Sequence, residues 1–149
     1  MSSIDEKYLE IPTIVVNLDT DIQNQFDVAS PNDRQKIARK FILDNLRSDF
    51  VVKDNQAIMI TYKTAKKISH TLFEPKIRIA PYLVEALKIA KFEYIADSDK
   101  TRNDGFDKFV YYNVKFDIGG RLFLGLINVG INTKENSYTL YDINPLHEI

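Results

Sequence analysis

The chain contains no cysteine, which excludes disulfides, cysteine-ligated zinc and cysteine nucleophiles. Neither sign of charge is in excess: Lys and Arg number 20, Asp and Glu 21, and the net charge is −1. No global field draws such a protein to a polyanion, so binding of that kind has to rest on a local basic patch. No apolar run approaches membrane-spanning length. The opening Met-Ser-Ser-Ile-Asp-Glu-Lys lacks the basic and apolar regions of a signal peptide. These absences predict a cytoplasmic protein with no membrane partner, or one delivered to a cytoplasm by another machine.

Histidine is also scarce. Only His70 and His147 occur, with no His-x-x-x-His and no calcium-loop pattern around them. Asp19 and Asp21 are the kind of carboxylate pair common in loops, so no metal and no other cofactor is expected. Gly119-Gly120 is not followed by the helix that a phosphate-binding loop needs. No Gly-x-Ser-x-Gly elbow supports a serine nucleophile.

At 149 residues the chain is long enough for one domain with a real core. Residues 1–29 read as an N-terminal extension or edge strand, with Ile11–Leu18 strand-like and the following Asp, Asn and Gln residues a loop. Ser30, Pro31 and Asp33 mark a helix start, and the helix is expected to reach about Leu46 with Ile37, Phe41 and Leu46 inward. Its polar face is basic: Arg34, Lys36, Arg39 and Lys40. Phe50–Lys53 and Ala57–Tyr62 flank Asp54-Asn55 as a hairpin would. Pro81 opens another predicted helix, with Leu83, Leu87 and Ala90 on one stripe, reaching about Tyr94. Residues 97–107 read as a polar exposed loop. The last third alternates: Val110, Tyr112, Val114, Phe116 and Ile118 form one strand face, Gly119-Gly120 turns, and Arg121–Ile131 returns. A further turn at Asn132–Asn136 leads into Ser137–Ile143, and His147 falls in a tail expected to fray. The predicted fold is α+β: an antiparallel meander of three C-terminal strands plus short N-terminal strands, with about three helices packed on one side.

Between the first hairpin and Pro81 lies Lys63-Thr-Ala-Lys-Lys-Ile-Ser-His-Thr71. On a helix Lys63, Lys66, Lys67 and His70 share one face, and Ala65, Ile68 and Leu72 the opposite one. With the other chemistries set aside, metal-free acid/base work on a phosphodiester is the reaction these residues suit. RNA carries its own nucleophile in the 2′-hydroxyl, so a base, an acid and cations suffice. His70 offers an imidazole as base or acid, the three lysines would hold the phosphate, and Ser69 and Thr71 offer hydroxyls beside it. The same face equally suits a solvated amphipathic helix. Arg78 and Arg121 offer planar forks to a phosphate, or simple surface ion pairs. Tyr111, Tyr112, Tyr138 and Tyr141 offer rings to bases, or filling for a sheet.

Further residues extend this pattern: Val51–Thr61 before the Lys/Ser/His helix, Ala80–Leu87 after it, then Tyr111–Phe123 and Tyr138-Thr-Leu-Tyr-Asp-Ile143. Together they resemble the small α+β domains of phage and mobile-element polyvalent proteins, grouped with or near the barnase, EndoU, colicin and RelE-like ribonuclease superfamily. The resemblance spans about residues 30–146. It implies a metal-independent ribonuclease, often a toxin in a bacterial cytoplasm, with the sheet face as active surface and RNA as substrate. Carried onto this chain, it implies Lys66, Lys67, Ser69 and His70 as catalytic residues together with Arg121, and Tyr141 as a substrate contact. Lys63, Thr71 and Arg78 complete the expected substrate contacts. Two other classes stand beside it. One is a catalytically silent protein- or nucleic-acid-binding module. The other is an immunity or antitoxin protein, compatible with the near-neutral charge and the acidic 17–33 region, whose partner would be a cognate or host protein.

Overall fold

Strict alternation over Val110–Ile118 needs a sheet with one face buried, and the strand that forms is β5, Lys108–Ile118. It pairs antiparallel with β6 (Arg121–Asn132), which pairs antiparallel with β7 (Ser137–Glu148). Gly119 and Gly120, with φ of +60° and +85°, make the two-residue turn between β5 and β6. The computed structural model describes residues 6–47, 50–98 and 104–149. Among these, the other strands are β1 (Thr13–Val16), β2 (Phe50–Lys53), β3 (Gln56–Met59) and β4 (Lys91–Asp97). The sheet order is β1-β5-β6-β7-β3-β2, with β4 also against β5. The fold is α+β as expected, but the sheet is mixed, because β1 runs parallel to β5 and β3 parallel to β7.

The helices are α1 (Asp21–Val28), α2 (Pro31–Asn45), α3 (Tyr62–Ser69), α4 (Glu74–Ile79) and, after a 3-10 turn at Ala80–Tyr82, α5 (Leu83–Ile89). Phe26, Ala38, Ile42, Ile68, Ile77, Leu83 and Leu87 from these helices join Val114, Phe116, Ile127, Leu140 and Ile143 in one buried cluster. Apart from Ala38, each such buried side chain contributes about 1.5–3 kcal/mol of transfer free energy. Phe106, Phe109 and Ile11 are buried outside that cluster, so the sheet has a helix-covered face and a second, open face.

Several expectations need correction. The loop read over Asp19 to Gln25 is largely helix α1, started by Thr20, whose Oγ1 accepts from the Gln23 N–H. Val16 and Phe26 lie in the main cluster, so residues 13–28 belong to the same core as the rest. Along α2 the innermost residues are Ala38 and Ile42, with Ile37 and Leu46 at the flank of the cluster. The helix predicted from Pro81 to Tyr94 stops at Ile89; Ala90 turns extended and residues 91–97 form β4. Leu72 lies beyond the end of α3 and is exposed. His147 does not fray: it is in β7, opposite Leu124 of β6. Part of the expected 97–107 loop, residues 99–103, lies outside the described residues.

On the helix-covered face, the Tyr112 hydroxyl donates to Asp54 Oδ2 at 3.1 Å while the Lys53 ammonium sits 5.0 Å from its ring centre. Burial first, and then the Asp54 carboxylate, push the Tyr112 phenol well above the ordinary tyrosine range. A raised pKa means stability that is intact below the unfolded value, about 10, and is lost as pH climbs toward the folded one. Alkaline titration followed by tyrosinate absorbance should show one phenol ionising late. In Tyr112→Phe that late step should be gone, and with it this group's share of the alkaline loss of stability.

Candidate functional site

Lys63 and Lys67 are four residues apart on α3 and project from the same side of it. A capping box starts this helix: Thr61 Oγ1 accepts from the Lys63 N–H at 3.2 Å, and Thr64 Oγ1 accepts from the Thr61 N–H at 3.0 Å. The buried Thr64 hydroxyl also donates to the Leu140 carbonyl, which ties α3 to β7 where β3 no longer covers it. On this seat Lys63 Nζ lies 4.8 Å from the Phe106 ring centre and donates to the Asp104 carbonyl at 2.5 Å. Lys67 Nζ lies 5.1 Å from the ring centre of Tyr141. Both geometries are cation–π contacts.

Those two rings begin a ladder across the open face. Phe106 meets Tyr141 edge-on at 5.3 Å and Phe109 at 5.6 Å, Phe109 stacks on Tyr111 at 6.2 Å, and Tyr111 stacks on Tyr94 at 4.5 Å. Gly130 makes this possible, because a Cβ there would come within 2.6 Å of the Phe106 ring. Beyond Phe106 the face opens into a groove of about 570 Å³, whose lining includes Arg47, Tyr62, Lys63, Phe106 and Asn132. At the Tyr94 end lies a smaller pocket of about 170 Å³.

The other residues singled out from sequence are placed differently. Ser69 is fully buried, and its hydroxyl accepts from Arg39 Nε at 3.1 Å. Thr71 Oγ1 accepts from the Phe73 N–H, and its carbonyl accepts from Gln35. Arg78 sits within α4, not in a loop, and is 7% exposed. Its guanidinium bonds to Asp27, Glu74 and both oxygens of Gln23, which makes it a clamp between α1 and α4. Arg121 is held in a fork by Glu148 at 2.8 and 3.3 Å and lies over Phe123. Lys66 and His70 are exposed, and His70 is the residue after the last helical one, its N–H donating to the Lys66 carbonyl at 3.2 Å. The structure therefore brings Lys63, Lys67 and Tyr141 together and leaves Arg78 and Arg121 in ion pairs elsewhere.

Sequence reasoning does not single out Phe106, Phe109, Tyr94 or Tyr62. The signal for Phe109 and Tyr111 is present as the off-phase set of β5, which an alternating strand buries only if a second layer exists. Among the described residues, no group of three or more His, Asp or Glu is placed to hold a metal ion. None of their helices is long and apolar enough to cross a membrane. In comparisons with known proteins, no family model, no curated protein and no solved structure matches the chain.

Proposed function

We propose that the open face of the sheet binds single-stranded RNA. The observation that carries this reading is the placement of two ammonium groups, Lys63 and Lys67, over the rings of Phe106 and Tyr141 at the head of an aromatic ladder. Unpaired bases stack on exposed aromatic faces, and lysines alongside track the phosphates; each base stacked contributes about 1–3 kcal/mol. Tyr94 is 46% exposed and Tyr62 50%, so the Tyr94 end of the ladder and the groove present ring surface to a ligand, while Phe106 and Phe109 are themselves buried. The chain's net charge of −1 fits a local track rather than a general affinity for polyanions.

A second reading keeps turnover: His70 as general acid/base, with Lys66 and Lys67 stabilising the phosphorane. It is favoured by the exposure of the imidazole at the end of the helix that bears both lysines. The two readings separate in one experiment, incubation of labelled single-stranded RNA with the protein in EDTA. Under the binding reading the RNA is retarded on a gel and recovered uncut, with wild type and His70→Ala alike. Product from wild type that disappears with His70→Ala would instead establish the ribonuclease.

A further inference from the structure

We infer that the pocket beside Tyr94 seats one unpaired base and favours bases that carry an exocyclic amine over uracil, with Glu93 as the discriminating residue. This rests on the open face being the RNA-binding surface. The register of β4 is the starting point. Phe92 pairs with Tyr112 and Tyr94 with Tyr111, and the shift between them is a β-bulge. Tyr112 belongs to the main cluster and Tyr111 to the open-face ladder. In an unbroken strand Glu93 and Tyr94 would face opposite sides. The bulge puts both into the same pocket, a carboxylate next to a ring. Leu124 and Leu126 of β6 supply apolar surface, and Asn113 of β5 lines the pocket beside Glu93.

The polar groups there have a definite polarity. Asn113 Nδ2 donates to Glu93 Oε2 at 2.6 Å, which commits one N–H of the amide; Glu93 Oε1 and Asn113 Oδ1 remain as acceptors, beside the second amide N–H and the His147 imidazole that also lines the pocket. A base lying against Tyr94 would present its edge to these oxygens. Uracil offers a single N–H between two carbonyl oxygens, so with that N–H on Glu93 Oε1 a carbonyl oxygen falls beside the other acceptor, Asn113 Oδ1. Cytosine replaces one of those oxygens with an amine, the group a carboxylate accepts from in direct base readout. Unpaired bases stacked on an aromatic ring are read along this edge.

The test compares oligocytidylate and oligouridylate of equal length by fluorescence anisotropy, for the full chain and for Glu93→Gln. The two probes match in ring size and backbone and differ at the exocyclic group and at the adjoining ring nitrogen, which is an acceptor in cytosine and an N–H in uracil. Wild type should bind oligocytidylate about tenfold more tightly. Glutamine keeps the shape and the bond from Asn113, but its amide can turn to donate or accept, so in Glu93→Gln the two affinities should fall within about twofold of each other. Equal binding by wild type, or a preference that survives Glu93→Gln, overturns the assignment of the pocket while leaving the lysine-and-ring surface standing. If neither probe binds, the reading of the open face falls and the pocket assignment falls with it.

Discussion

Replacing Lys63 and Lys67 together by glutamine should weaken single-stranded RNA binding on the order of 10- to 100-fold at low salt. The salt dependence is the sharper readout. Each phosphate neutralised on a single strand contributes about 0.7 to the slope of log affinity against log salt, so losing two lysines should reduce the slope by about 1.4. Lys63 also anchors the Asp104 carbonyl, and its removal alone could act by loosening the residues next to Phe106. Lys67 has no such backbone bond among the described residues, so Lys67→Gln isolates the charge and should lower the slope by about 0.7. Tyr141→Phe keeps the ring under Lys67 and should bind as wild type, since the stacking surface is what matters. An unchanged affinity and slope in the double variant would eliminate the open face as the RNA-binding surface.

Phe26→Ala should destabilise the fold by about 3–5 kcal/mol, read as a lower denaturation midpoint. The ring is fully buried in the main cluster although it comes from α1, within the first thirty residues. It also lies 5.9 Å from the Arg78 guanidinium, whose bonds to Gln23 and Asp27 fix α1 against α4. A cavity here therefore meets both the apolar contact and the clamp. Val28 on the same helix is 89% exposed, and Val28→Ala should stay within about 0.5 kcal/mol of wild type. A small effect of Phe26→Ala would mean that residues before Ser30 are an appendage.

Short-range rules make α2 and the β5–β6 hairpin legible in the amino-acid sequence. Ser30, Pro31 and Asp33 are cap residues whose chemistry acts within one turn. Gly119-Gly120 sits between two strands whose alternation needs no distant partner to be recognised. Helix α1 escapes such rules because its apolar contacts with the core are only Phe26 and the partly buried Ile22, in a run of Asp, Asn and Gln. Strand β4 escapes them because no glycine or proline marks the change at Ala90, and a helical pattern runs on through the next four residues. In the site, the i, i+4 spacing of Lys63 and Lys67 is readable; their partners are not. Phe106 and Tyr141 arrive from far along the chain through β-pairing. Arg78 looks free in the sequence for the same reason, since Asp27 and Gln23 lie about fifty residues upstream.

The position of Phe106 is fixed by bonds that join three strand ends. The Ser98 N–H donates to the Asp107 carbonyl at 3.0 Å, and the Ser98 hydroxyl to the Phe106 carbonyl at 2.7 Å. The Asp107 carboxylate in turn accepts from both the N–H and the hydroxyl of Thr133. Ser98 at the end of β4, Phe106 and Asp107 before β5, and Thr133 after β6 are thus joined by one set of bonds, which holds Phe106 seated over Gly130.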